Sequence, residues 1–149
     1  MKHLKTTVLI LFLLAAGTTQ AQQFETDFQV AQEKCQAEGK SLVMVFCGSD
    51  WCKPCILLHN EVLASAAFEE FSAENLVVLK LDFPYRKKNQ LPPAQRKHNE
   101  ELADRYNPKG AFPLVLLVNP DGSIAKQVQY QPGNGPEPII AQISSQLSN

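Results

Sequence analysis

The chain has 149 residues, 44% of them hydrophobic, with 14 Lys and Arg against 15 Asp and Glu. That length and apolar content suit one globular domain with its own core, and no internal repeat or low-complexity tract is visible. The charge balance argues for solubility and against non-specific nucleic-acid binding.

The first 21 residues read as a secretory signal peptide: "MKHLK" is a basic n-region, "TTVLILFLLAAG" an apolar h-region, and Thr19-Gln20-Ala21 a small-x-small cleavage site. The apolar run from Val8 to Ala16 is about half the roughly 20 residues that a membrane-spanning helix needs. No cysteine sits at the cleavage point to carry a lipid. Cleavage there removes Lys2 and Lys5 and no acid, leaving an acidic domain over residues 22–149. The expected location is periplasmic or otherwise extracytoplasmic, with no stable membrane insertion once the signal is removed. Disulfides persist in such a compartment, which bears on all four cysteines, Cys35, Cys47, Cys52 and Cys55.

From Thr26 to Glu38, Phe28, Ala31 and Cys35 share one helical face, with Thr26 or Asp27 as N-cap and Gly39 as stop. Ser41 to Phe46 is a short continuous run of β-formers, the pattern of a strand buried on both faces. A turn through Gly48-Ser49-Asp50 leads into a helix expected from about Pro54 to Phe71, with Leu57, Leu58, Val62 and Leu63 facing the core. Pro54 suits its first turn, where the missing N–H costs nothing. Leu76 to Phe83 is a second strand, ended by Pro84. A polar insert at about residues 84–101 follows, with helical character returning from Ala94 to Tyr106. Leu114 to Val118 is a third strand, Asn119-Pro120-Asp121-Gly122 a tight turn, and Ser123 to Tyr130 a hairpin partner. A Pro- and Gly-rich loop precedes a last helix, Pro138 to Leu147. Alternating strands and helices imply parallel pairing through helical crossovers, with an antiparallel hairpin at the edge. The class is a small α/β sandwich.

The chemistry concentrates in "FCGSDWCKPCILLHNE", residues 46–61. A Cys-x-x-Cys at a strand-to-helix turn places free N–H groups and the positive helix end beside the first sulfur, which favours its thiolate. Cys52 is thus the candidate nucleophile, with Lys53 adding a cation, and Cys55 the candidate resolving thiol. A structural bridge and half of a zinc site are the alternatives. Zinc needs a second ligand pair, and residues 22–149 offer only His59 and His98 beyond the cysteines.

These residues resemble the thioredoxin superfamily, in particular its exported bacterial thioredoxin-like members. The likeness rests on Trp51-Cys52-Lys53-Pro54-Cys55, on Phe112-Pro113 before a strand, and on the Asp121-Gly122 turn, and it extends over residues 22–149 in element order. It implies a three-layer α/β/α sandwich with a central mixed sheet, parallel core strands and an antiparallel carboxy-terminal hairpin. It also implies a thiol:disulfide oxidoreductase whose redox centre is the Cys52–Cys55 pair, with no further cofactor and no metal. Pro113 is then the cis-proline facing the pair, Phe112 and Trp51 line the substrate groove, and Lys53 and Pro54 tune the nucleophile. The partners implied are protein thiols and disulfides and a membrane-embedded thiol electron donor. Pro54 before the second cysteine suggests a disulfide reductase. The competing readings are a Cu(I)-binding metal chaperone, using the two thiolates with His59, and an adaptor that binds a partner through the insert Tyr85 to Glu101.

Two features depart from the family. The strand before the motif, "LVMVFCG", lacks the buried acid that assists proton transfer in the family, so Cys55 lacks a dedicated base, uses water, or borrows Asp82, which alternates onto one strand face with Lys80. The insert is also longer than the compact core needs. Cys35 and Cys47 read as buried, inert thiols, with a mutual bridge or a regulatory role as the alternative. Asp50 reads as a solvated turn residue, and His59 as a partly exposed helix residue one turn beyond Cys55.

Overall fold

A computed structural model describes residues 23–148, so the signal-peptide expectation for residues 1–21 lies outside the described residues. Helix α1 spans Phe28–Glu38, strand β1 Ser41–Cys47, α2 Lys53–Leu58, α3 Ala66–Asn75, β2 Leu76–Asp82, α4 Pro93–Tyr106, β3 Leu114–Val118, β4 Ile124–Val128 and α5 Glu137–Leu147. Asp27 caps α1 by accepting from the Val30 N–H at 2.9 Å, and Gly39 ends it in the left-handed region at φ 65°.

The sheet order is β2-β1-β3-β4. β1 is central, and residues 42–47 are buried. Leu42, Met44 and Phe46 join Ala31 of α1 and Leu102 and Tyr106 of α4 in one core layer. Val43 and Val45 point the other way, joining Leu58, Phe68, Ile139 and Ile143 from the helices on the opposite face. The result is the expected three-layer α/β/α sandwich, with α1 and α4 on one side and α2, α3 and α5 on the other.

Two expectations are corrected. Among the four strands, parallel pairing is confined to β1 with β2, in register Ser41 with Leu76 through Cys47 with Asp82, and Glu25 adds an isolated parallel bridge to Leu79. β3 runs antiparallel to β1, pairing Phe46 with Leu114 and Leu42 with Val118. After β2, α4 carries the chain away from the Cys47 end of the sheet, and residues 107–113 bring it back before β3 begins. β3 therefore enters at the end where β1 finishes.

The helix expected from Pro54 to Phe71 is also not continuous. A π-helical turn, His59–Leu63, follows α2, and Ser65 restarts the helix as N-cap of α3, accepting from the Phe68 N–H at 3.2 Å. The hydrophobic pattern hides the break because Val62, Leu63 and Phe68 face the same core on both sides of it.

Within the insert, residues 87–89 form a single 3-10 turn, and α4 already begins at Pro93. The buried Asn99 ties this helix to the sheet by donating to the Asp82 carbonyl at 2.9 Å.

Candidate active site

The turn after β1 is closed by the Cys52 N–H donating to the Gly48 carbonyl at 3.0 Å. Cys52 then serves as N-cap of α2, with extended backbone angles and Pro54 in the first turn. Cys52 and Cys55 are joined in a disulfide with their Cα atoms 5.2 Å apart. The Cys55 N–H points at the Cys52 sulfur, 3.3 Å away. That placement puts a backbone donor and the start of the helix beside the Cys52 sulfur, the arrangement expected of the attacking member of such a pair.

Phe112 packs against the cluster of Cys47, Cys52 and Cys55. The Phe112–Pro113 peptide bond is cis, as the resemblance implies. Because Leu114 pairs with Phe46, Pro113 falls level with Cys47 at the same end of the sheet. Lys53 and Pro54, next in the chain after Cys52, are exposed.

An aromatic wall stands beside the disulfide. The Trp51 ring is edge-on to Phe112 at 5.4 Å, Phe112 to Phe83 at 5.4 Å, and Phe83 stacks on the buried Phe46 at 6.4 Å. Trp51 is half exposed, and its Nε1–H donates to the Phe83 carbonyl at 2.7 Å. The indole packs closely against Gly48, where an added Cβ would sit 2.3 Å from a ring carbon. Gly48→Ala therefore displaces the indole and breaks its bond to Phe83. The expected outcome is a changed Trp51 emission and a loss of roughly 1–3 kcal/mol of stability, measured by denaturant titration.

Phe83, Gly48 and Asp50 are site residues that sequence reasoning missed or undervalued. Phe83 reads as the last residue of a strand, and nothing local shows that it turns towards Trp51. Asp50 is more than a solvated turn residue. Its carboxylate accepts from the N–H groups of Tyr85 and Arg86 and from Asn89 Nδ2, at 2.8, 2.9 and 2.8 Å. Partial burial works to raise its carboxyl, but the donors from Tyr85, Asn89 and Arg86 outweigh this and hold it below the usual carboxylate range.

Cys35 and Cys47 are both free thiols, so the alternative of a bridge between them is not realised. Cys35 is half-buried against the α1/α4 core layer and, first through burial, its thiol is pushed up to about 11. The buried Cys47 contacts the Leu81 carbonyl and Asp82 Oδ1, both at 3.7 Å. Burial, followed by the charge of Asp82, pushes it up to about 12. Asp82 in turn accepts from the Ser49 N–H at 2.9 Å, the Ser49 hydroxyl at 2.6 Å and the Phe83 N–H at 2.9 Å. Its carboxylate is thus committed to closing the turn, and its thiol neighbour is Cys47.

Lys80 and His59, with Cys47, Ser49 and Cys55, line a cavity of about 90 Å³. His59 packs edge-on to Phe24 at 6.1 Å, and its Nδ1 is buried without a partner. Desolvation, then the Lys80 charge, holds its imidazole below the ordinary 6.5. Since folding disfavours the charged ring, the unfolded chain binds the extra proton first as pH falls. The His59 contribution to stability is thus complete above pH 6.5 and is lost as pH drops towards the lowered value. Urea titrations from pH 7.5 to 5 should show this loss, and His59→Leu should flatten it.

A family model described as thioredoxin-like matches residues 10–120. The chain belongs to the thioredoxin-like family. Among curated relatives, this thioredoxin-like chain is similar to the disulfide bond reductase DsbH of Chlamydia pneumoniae, at 33% identity over 105 residues, 70% of this chain and 61% of that protein. It is also similar to the thioredoxin-related protein DsbJ of Chlamydia pneumoniae, at 28% identity over 132 residues, 83% of this chain and 37% of that protein. It therefore spans less than two thirds of the length of either. A solved structure of DsbH oxidoreductase matches 99% of this chain and 94% of its own length, with a TM-score of 0.77 at 28% identity. No described helix is long and apolar enough to cross a membrane.

Proposed function

We propose that this thioredoxin-like protein performs thiol–disulfide exchange on protein substrates, acting as a disulfide reductase. The observation that carries the reading is the Cys52–Cys55 disulfide seated at the start of α2 beside a half-exposed aromatic wall. The reduced Cys52 thiolate attacks one sulfur of a substrate disulfide, forming a mixed disulfide and releasing the other substrate sulfur as a thiol. Cys55 then attacks Cys52, freeing the second substrate thiol and re-forming the internal disulfide. Two electrons pass from the protein to the substrate in each cycle, and the redox pair is itself the only redox group the step requires. Trp51, Phe112 and Pro113 shape the groove that receives the substrate chain, while Lys53 and Pro54 tune the attacking thiol.

The similarity to the disulfide bond reductase DsbH supports the reaction class and the reducing direction, and the DsbH oxidoreductase structure supports the reaction class. The signal-like segment supports action outside the cytoplasm, where regeneration requires a membrane-embedded thiol donor. The Cu(I) chaperone and the adaptor are non-enzymatic competitors, and one experiment separates them from exchange. Purified protein is titrated in thiol–disulfide buffers, following Trp51 fluorescence in a background carrying Cys35→Ser and Cys47→Ser. A midpoint near roughly −270 to −230 mV is expected of a reductase, whereas about −180 to −120 mV would make it an isomerase or oxidase. Absence of any reversible two-electron transition would overturn the reading.

A further inference from the structure

The loop between β2 and α4 is fastened to the residues just ahead of Cys52. Asp50 holds the Tyr85 and Arg86 N–H groups and the Asn89 amide, and Trp51 reaches the Phe83 carbonyl. Gln90 Nε2 closes the loop on itself by donating to the carbonyls of Pro84 and Tyr85, at 2.8 and 3.1 Å. Such a loop displays its side chains from a fixed base.

Those side chains are Tyr85, 81% exposed, and the exposed Arg86, Lys87 and Lys88. Among the described residues, no ion pair includes any of these three cations; the ion pairs lie on Lys34, Lys40, Arg96 and Lys97. Asp50, the acid to which the loop is fastened, keeps its negative charge and offsets part of that of Arg86, which leaves Lys87 and Lys88. Lys53, exposed and immediately after Cys52, is likewise in none of the ion pairs among the described residues. In a chain with more acidic than basic side chains, positive charge in excess of the single Asp50 carboxylate is thus gathered beside the turn that carries the disulfide.

We propose that this loop is a docking surface for an acidic stretch of a substrate polypeptide close to its reactive cysteine, with Trp51 and Tyr85 receiving apolar side chains from the same stretch. The inference rests on the exchange reading above and names the substrate class of that site. An extended chain advances about 3.3 Å per residue. Because the loop is fastened to Asp50 and Trp51, the two residues before Cys52, acidic residues a few positions from the substrate cysteine come within reach of it while the cysteine meets Cys52. An anionic membrane is the poorer fit, because seating these cations on lipid would also cover the disulfide that must meet protein substrates.

The test uses two disulfide-linked peptides that differ in their flanks, one Asp- and Glu-rich and the other Lys- and Arg-rich. At low ionic strength the reduced protein should react roughly tenfold faster with the acidic peptide. Salt should shrink that advantage, and Lys87→Glu with Lys88→Glu should reverse it. Versions of the peptides with Ser for Cys report binding alone, through Trp51 fluorescence. Preferential binding of the acidic peptide without any exchange would support the docking surface and overturn the exchange reading. Equal rates and equal affinities for the two flanks would overturn the docking surface and leave exchange standing. Sedimentation with phosphatidylglycerol–phosphatidylcholine vesicles, lost in the double variant and unaccompanied by peptide preference, would likewise overturn it in favour of a membrane contact.

Discussion

Cys52→Ser should reduce disulfide exchange to the uncatalysed background, whereas Cys55→Ser should stop it at the mixed disulfide. The two outcomes differ because the sulfurs occupy different places in one turn of helix. Cys52 is the N-cap residue, and its sulfur receives the Cys55 N–H. Without it no thiolate remains at the helix end to attack a substrate. Without Cys55 that attack still occurs, but nothing within the protein displaces the bound substrate. The remaining thiols offer no substitute. With Cys35 pushed up to about 11 and Cys47 to about 12, both are almost wholly protonated at neutral pH, and Cys47 is also buried. Turbidimetric insulin reduction checks the first outcome. A non-reducing gel showing a Cys55→Ser adduct that dissolves on adding dithiothreitol checks the second. Undiminished turnover in Cys52→Ser would remove Cys52 from the mechanism.

Phe46→Ala should be the most damaging single truncation in the core, costing roughly 3–5 kcal/mol. Phe46 is fully buried in the central strand, pairs with Leu81 on one side and Leu114 on the other, and packs in the layer under α1 and α4. It also stacks on Phe83, which continues through Phe112 to Trp51. The cavity left behind therefore loosens the wall beside the disulfide as well as the core. Denaturant unfolding measures the first effect, and a shift in Trp51 emission under native conditions measures the second. Ile124→Ala, on the exposed edge strand, serves as the comparison and should change stability by no more than about 0.5 kcal/mol. A similarly small change for Phe46→Ala would contradict this account of the core.

Much of this molecule is local in origin and hence legible in one dimension. β1, β2 and β3 announce themselves as continuous apolar runs because both faces of the sheet are covered. Asp27 and Gly39 bound α1 through chemistry that operates within four residues. The reactive pair is equally local, since two residues of spacing in a first helical turn bring the sulfurs of Cys52 and Cys55 together wherever that turn is built.

What sequence alone left undecided depends on partners far along the chain. Asp50 meets residues 85, 86 and 89, and Trp51 meets Phe83, contacts that no helical or strand period encodes. Asp82 and Lys80 share a strand face, yet the folded chain engages Asp82 with Ser49 and Cys47 while Lys80 lines a cavity with Cys55. The direction of β3 is the most consequential case. An alternating β–α pattern implies a parallel crossover, but the backbone re-enters beside Phe46 and runs antiparallel. That entry point carries Phe112 and Pro113 to the cysteines. Sequence by itself thus determined the elements and the reactive pair, because periodicity, capping and Cys-x-x-Cys spacing act over a few bonds. Tertiary structure alone decided what surrounds that pair, because strand direction and side-chain partners follow from how distant segments bury one shared core.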